Sequence, residues 1–261
     1  MKISIITVCY NSRKFISQTI ESVLSQDFSE LEYVLVDGGS TDGTVELISQ
    51  YAEKDSRIVW CSEPDGGISD AMNKGVNMAS GDVIAHLNSD DYYAHSHVVS
   101  DVVKCFNSSS TATWLTAGFD FISDSGEFLR EIRVRRYSFR RLLRGNIILH
   151  PATFIRRDSF LSVGGMDTSL SYCMDYDLFL RLGYCAAPLL LDEQLTCFRV
   201  HDDSRSVSHH EQTYAEEFRV RMDYLKKLGR LTWFYTLDYQ LKSRLNRFFY
   251  RGLLASSRKK R

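Results

Sequence analysis

The sequence predicts an α/β fold: a doubly wound, mostly parallel sheet with helices on both faces and a C-terminal helical appendage. Three observations carry that expectation. Short β-branched runs alternate with helical apolar spacing four times in about the first hundred residues, the pattern of a parallel sheet. Three of the four runs end in acidic groups, and open α/β sheets bind ligands at the carboxyl ends of their strands. Late in the chain the charge changes sign: residues 218–261 hold 13 Lys and Arg against 2 Asp, a balance of +11 that leaves −12 for residues 1–217.

The elements follow in order. Residues 2–9 (KISIITVC) form a β-branched run broken by Tyr10-Asn11-Ser12, after which Phe15, Ile16, Thr19, Ile20, Val23 and Leu24 recur at helical spacing. Residues 31–37 (LEYVLVD) predict a second strand ending in a carboxylate; a tight polar turn at 38–43 and a helix through Val45, Leu47, Ile48 and Tyr51 follow. Residues 57–62 (RIVWCS) predict a third strand, then a turn at 63–67 and a helix through Ile68, Ala71, Met72, Gly75, Val76 and Ala79. Val83, Ile84, Ala85 and Leu87 then make a nearly continuous apolar run, as in a central strand covered on both faces. Polarity arrives abruptly at Asn88-Ser89-Asp90-Asp91, ahead of a helix through Val98, Val99, Val102, Val103 and Phe106.

The second half reads differently. Residues 113–122 and 128–134 flank Ser123-Asp124-Ser125-Gly126 as a hairpin, and the basic segment 130–144 follows. Residues 150–155 predict a further strand, Gly164-Gly165 a turn, 175–182 a helix, and 189–191 and 196–200 the last strands. Beyond His201 the pattern is helical to the end.

Composition bounds the function. A chain of 261 residues with 44% hydrophobic and 12% aromatic content can bury a substantial core as one large domain, or one domain with an appendage. The six Cys are widely spaced with no C-x-x-C pair, so they predict reduced thiols rather than zinc ligands or a disulfide framework. The apolar run 3–9 is too short for a signal segment, and no stretch approaches the ~20 apolar residues of a spanning helix, so a cytoplasmic protein is expected. Residues 7–12 lack Gly and nothing matches G-x-G-x-x-G or a P-loop, which disfavours dinucleotide oxidoreductases and P-loop enzymes. No nucleic-acid partner is expected.

The strand-end carboxylates are the candidate chemistry. Asp90 and Asp91, after Asn88, offer hard oxygen ligands that could hold Mg2+ or Mn2+ against a diphosphate. Capping of the following helix by Ser89, Asp90 or Asp91 is the structural alternative. Asp37 could accept hydrogen bonds from a base or ribose, with an Asx-turn before Gly38 as its alternative.

Five stretches in order, Ser4-Ile5-Ile6-Thr7-Val8-Cys9-Tyr10-Asn11, Val36-Asp37-Gly38-Gly39-Ser40-Thr41-Asp42-Gly43-Thr44, Glu63-Pro64-Asp65-Gly66-Gly67-Ile68, Leu87-Asn88-Ser89-Asp90-Asp91 and Met174-Asp175-Tyr176-Asp177-Leu178, resemble family 2 glycosyltransferases of the GT-A fold. The match covers about residues 1–205. The resemblance implies an inverting enzyme that moves a sugar from a nucleoside diphosphate, usually UDP or GDP, to a hydroxyl, most like those of bacterial exopolysaccharide and lipopolysaccharide assembly. By the same resemblance Thr7, Val8, Tyr10, Asp37, Asp65, Lys74 and Asn88 would bind the nucleotide, Asp90 and His201 a divalent metal (Mn2+ or Mg2+), and Asp175 would be the general base. Two positions depart from the family pattern: Asn88 stands for the first Asp of D-x-D, and Met174 for the Glu of the acceptor-side E-D motif. Asp177 then reads as structural.

The expected division is a glycosyltransferase domain over 1–205, with a nucleotide-binding half (1–110) and an acceptor half (111–205), and a basic amphipathic region over 206–261. In that region Leu231, Phe234, Leu237, Leu241, Leu245 and Phe248 form one apolar stripe, and Arg258-Lys259-Lys260-Arg261 a basic cluster. Together they predict attachment to an anionic membrane surface, placing the enzyme at the inner face of the membrane near a glycan or polyprenyl-linked acceptor. Packing on the catalytic domain, or on a second copy in a homodimer, is the alternative. The rival functions are a nucleotidyltransferase, which would want a Gly-rich basic loop where Tyr10-Asn11-Ser12-Arg13-Lys14 stands, and a sugar-nucleotide-binding scaffold protein of a polysaccharide complex.

Overall fold

The alternating periods fold as they read in the computed structural model, which describes residues 1–201 and 210–229. Strand β1 (Ile3–Cys9) leads to helix α1 (Ile16–Leu24), β2 (Leu31–Asp37) to α2 (Thr44–Ala52), and β3 (Ile58–Ser62) to α3 (Ile68–Met78). Strand β4 (Val83–His86) then passes through a two-residue strand, β5 (Tyr92–Tyr93), to α4 (Val98–Ser108). The first four strands pair in parallel in the order β3-β2-β1-β4.

Why these runs lack a polar face is visible in the packing. Ile3, Ile5, Tyr33, Leu35, Val83 and Ala85 point into one buried cluster with α1, α2 and α4, while Ile6, Val34, Val36 and Ile84 point into a second with α3. Period-two alternation thus feeds two cores, one on each sheet face. Helix α3 lies so close to β1 that a Cβ at Gly75 would come within 2.4 Å of Ile6 Cγ2.

The second half reverses direction. It comprises β6 (Trp114–Ile122), β7 (Phe128–Ile132), α5 (Phe139–Leu142), a 3-10 turn (His150–Ala152), β8 (Thr153–Arg156), α6 (Arg157–Ser162), α7 (Met174–Cys185), β9 (Leu189–Arg199) and α8 (His210–Lys227). Strand β8 runs antiparallel to both β4 and β6, β9 parallel to β6, and β5 antiparallel to β9. The order is β3-β2-β1-β4-β8-β6-β9-β5, with β7 paired to β6 as the expected hairpin. The result is a mixed sheet whose contiguous parallel block is its first half.

Two boundaries differ from the sequence expectation. Residues 150–152 form a 3-10 turn and the strand begins at Thr153, because Pro151 has no N–H to give a ladder. Residues 189–191 and 196–200 belong to one strand ending at Arg199, with register shifts opposite Gly118. Gly118 permits the irregularity: a Cβ there would meet Ile132 O at 2.8 Å and Gln194 Nε2 at 2.9 Å.

Helix α8 joins the second core: Val220 and Leu225 are buried in the cluster that holds Leu178, Phe179 and Leu182 of α7. The stripe 231–248 and the cluster 258–261 lie outside the described residues. No described helix is long and apolar enough to cross a membrane.

Candidate active site

The carboxyl ends of β1 and β4 and the first turn of α7 face a common cleft of about 820 Å³, with Val8, Tyr10, Asp65, Asn88, Asp90, Asp175 and His201 among its lining residues. On its first wall, the chain turns at Asn11, which adopts φ 50°, a region that Asn tolerates better than most residues. Asn11 N donates to Ser40 Oγ at 2.7 Å, and Thr41 N to Asn11 Oδ1 at 3.0 Å, stapling the ends of β1 and β2 together. Tyr10 is left 67% exposed at the cleft mouth. Asp65 comes beside it because Gly38 has no side chain: a Cβ there would lie 2.7 Å from Asp65 Oδ2 and 3.5 Å from the Tyr10 ring.

Three residues expected at the nucleotide stand behind this wall. Thr7 is fully buried and its hydroxyl accepts from Tyr33 OH at 3.0 Å. Asp37 is also fully buried, and its carboxylate accepts from the Gly39 and Ser40 N–H groups at 2.9 Å each, from Ser62 Oγ at 2.7 Å and from the Ser40 hydroxyl. Burial pushes its pKa up, but the Ser40, Ser62 and Gly39 donors outweigh that and hold the group below the usual carboxylate range. Lys74 is ion-paired to Glu63 at 2.9 Å. None of the three is among the lining residues.

At the end of β4 two adjacent aspartates take opposite environments. Asp91 is 1% exposed; it accepts from Arg199 N at 2.9 Å and from Asn88 Nδ2 at 2.9 Å. Burial and the neighbouring Asp90 push its pKa well up. Asp90 turns outward, its Oδ2 2.9 Å from His201 Nε2, with the two side chains 29% and 12% exposed. Capping does not explain these residues, since α4 begins after His97. What holds the loop is the buried Arg199, whose guanidinium donates to Asp90 O at 3.0 Å, Asp124 O at 2.8 Å and Gln18 Oε1 at 2.6 Å and lies over the Phe15 ring. Arg199, two residues before His201, has no sequence signal for this role, because its partners come from segments distant in the chain.

A carboxylate oxygen and an imidazole nitrogen side by side on the cleft wall are ligand types that suit a divalent metal such as Mn2+. Asp91 is unsuited, being sealed and already hydrogen-bonded. Among the described residues, His95, Asp101 and Glu193 form one further grouping of ligand atoms within 4.8 Å of one another, but they are absent from the cleft lining and Asp101 is already paired with Lys104 at 2.8 Å.

The cleft is also lined by Asp175 in the first turn of α7, where its Oδ2 accepts from Asn146 Nδ2 at 3.1 Å. Burial raises its pKa above the usual range despite the opposing influence of His150 and of backbone N–H groups. Asp177 instead binds Arg181 at 2.6 and 2.9 Å. His150 also lines the cleft and stacks on His86 at 5.9 Å between ring centroids; neither Nε2 has a hydrogen-bond partner. Burial lowers both pKa values, that of His86 to about 3, so the His86 imidazole is neutral at pH 7, while Asp175 opposes the shift at His150. Asn146 had no sequence signal, because its role depends on the approach of a distant loop to α7.

Comparisons place this geometry among known proteins. The family model described as Glycosyl transferase family 2 matches residues 4–162, more than half of the chain. An uncharacterized glycosyltransferase of Mycobacterium tuberculosis (strain H37Rv) is 29% identical over 216 residues, covering 82% of this chain and 79% of that one. The chondroitin synthase of Escherichia coli is 27% identical over 87% of this chain, which spans only 33% of that synthase. Among solved structures, S. aureus TarS 1-349 in complex with UDP-GlcNAc superposes with a TM-score of 0.71 at 20% identity, covering 86% of this chain and 66% of that one. The mannosyltransferase PcManGT from Pyrobaculum calidifontis in complex with GDP-Man and Mn2+ gives 0.65 at 18%, covering 84% and 64%. Fold and sequence agree: the chain has the GT-A type of mixed sheet and belongs to glycosyl transferase family 2, as a glycosyltransferase.

Proposed function

We propose that the protein is an inverting transferase that moves a sugar from a UDP- or GDP-linked donor to a hydroxyl of a glycan or polyprenyl-linked acceptor in exopolysaccharide or lipopolysaccharide assembly. The observation that carries this reading is the division of labour in one cleft: Asp90 paired with His201 after β4 and β9, and Asp175, a carboxyl of raised basicity, at the start of α7. Asp175 takes the proton of the acceptor hydroxyl as that oxygen attacks the anomeric carbon in line with the departing diphosphate; the C–O bond to the diphosphate breaks, its electron pair leaves with the phosphate oxygen, and the configuration inverts. A raised pKa suits this step, since a stronger base removes the hydroxyl proton more readily. Asp90 and His201 would hold the divalent metal, which when bound neutralises charge on the diphosphate.

On the donor wall, Val8, Tyr10, Asp65 and Asn88 contact the nucleotide, while Thr7, Asp37 and Lys74 act from behind by fixing the turns that carry them. The complexes of TarS with UDP-GlcNAc and of PcManGT with GDP-Man and Mn2+ support this assignment by likeness of fold. The chondroitin and hyaluronan synthases among the relatives support a polysaccharide product. Attachment to an anionic membrane through the basic residues beyond 218 belongs to the same proposal, and rests on their charge.

A thermal-shift series with UDP- and GDP-sugars, with and without Mn2+, tests it, because a ligand that binds only the folded state raises its stability. At least one nucleotide sugar should raise the melting temperature in a metal-dependent way and release its nucleotide on addition of acceptor glycans. No shift with any of them would contradict the proposal, and binding without release would favour the scaffold reading.

A further inference from the structure

The first N–H groups of a helix have no partner inside it, and the positive end of the helix favours nearby anions. Helix α7 carries Asp175 in its first turn, so its N-terminus bears directly on that carboxyl. The N–H groups of the three residues that lead into this helix, the last of them its N-cap Cys173, converge on one side chain from α8. Glu216 Oε2 accepts from Tyr172 N at 2.6 Å, Cys173 N at 2.9 Å and Ser171 N at 3.1 Å, and Oε1 is 3.2 Å from Ser171 N. The Glu216 side chain is only 11% exposed, and Cys173 Sγ donates to Thr213 O one turn earlier on α8 at 3.2 Å. The helix is anchored near its middle too, where Tyr224 OH donates to Leu180 O at 3.1 Å.

Two consequences follow for Asp175. Pinning residues 171–173 fixes the direction in which the first turn of α7 presents its side chains. In addition, an anion at the helix end offsets the positive potential that would otherwise stabilise ionised Asp175 and weaken it as a base. We propose that Glu216 is a positioning residue for the transfer reaction, holding the first turn of α7 so that Asp175 faces the cleft and cancelling the positive end of its helix. This rests on Asp175 being the general base.

The other groups that bear on Asp175 are accounted for. On its own helix Asp177 is neutralised by Arg181, and Cys173 is a thiol pushed up by burial. The loop before β8 contributes Asn146 and His150, with His86 of β4 stacked behind the latter. Helix α8 also carries Glu217, which faces Arg221 at 3.9 Å, and the exposed Arg219, whose guanidinium lies 3.3 Å from Glu216 Oε1 and screens part of that charge from the solvent side. Among the described residues, Glu216 is the side chain that accepts from the N–H groups of 171–173.

The test is a carboxyl-carbon NMR titration of the full-length protein, with the Asp175 resonance identified by its loss in Asp175→Asn. Glu216→Gln keeps the side-chain shape and one acceptor but removes the charge. Its Asp175 midpoint should fall by roughly half a pH unit or more, with the melting temperature near wild type. Nucleotide release should show a reduced kcat with unchanged donor KM. An unmoved midpoint, beside an Asp175→Asn variant that has lost turnover, overturns the role of Glu216 alone. An Asp175→Asn variant that still turns over overturns the base, and this inference with it. Should Glu216→Gln not fold, Glu216→Asp retains the charge and should hold the wild-type midpoint; a fall there overturns the inference.

Discussion

The two halves of the sheet hold their functional side chains by different means. In the nucleotide-binding half, each site loop continues the strand before it and combines ties that are short in sequence with longer ones: Asp37 accepts from Gly39 and Ser40 and Asp65 from Gly67, while Ser62 reaches Asp37 and Asn11 staples the turn after β2. In the acceptor half the ties span long stretches of sequence. Asn146 reaches Asp175, Glu216 reaches Tyr172, and Arg199 closes onto Gln18 at the other end of the chain. Part of the donor side is thus fixed by its own turn chemistry, whereas the acceptor side is fixed by contacts between segments distant in sequence.

That contrast can be broken most severely at the base. Asp175→Asn should leave nucleotide affinity intact yet lower turnover by ~10²-fold or more, the scale of a lost general base. Single-turnover nucleotide release beside calorimetry of UDP or GDP binding checks it; near-wild-type turnover would move the base elsewhere.

Arg199 tests whether the long-range ties bear on stability. Replacement by Met removes a buried guanidinium and leaves its carbonyl and amide acceptors without partners, so unfolding free energy should drop by about 3 kcal/mol. Denaturant titration reads the change directly, and a midpoint equal to wild type would show that the loop 88–91 is held by other means.

His86 lies at the seam between the halves and gives a pH signature. Its folded pKa of about 3 lies below the unfolded value of ~6.5, so the unfolded chain binds the extra proton in between. Stability should therefore fall as pH drops through 6.5, by up to about 2 kcal/mol by pH 5 from this group alone. His86→Leu should flatten that slope whatever it does to absolute stability. A slope identical to wild type would assign the acid sensitivity to other groups.

The same contrast explains what could be read from the sequence. The four βα units, the hairpin and the strand leading to Asp90 were legible because apolar period and turn chemistry are local. The outward turn of Asp90 against the inward turn of Asp91 was not, since it depends on Arg199 approaching from β9. Nor did the charge pattern after residue 205 distinguish Glu216, whose partners lie more than forty residues earlier. The two-residue strand β5 fell below the length at which alternation gives a signal.

The central claim is that Asp90 and His201 hold a divalent metal against the donor diphosphate, and its most direct measurement is isothermal calorimetry of UDP and GDP binding to wild type and Asp90→Ala, each with and without Mn2+. Wild type should bind at least one nucleotide with an affinity that rises on adding Mn2+. Asp90→Ala should remain folded and lose that metal-dependent gain. A gain unchanged in Asp90→Ala would contradict the account.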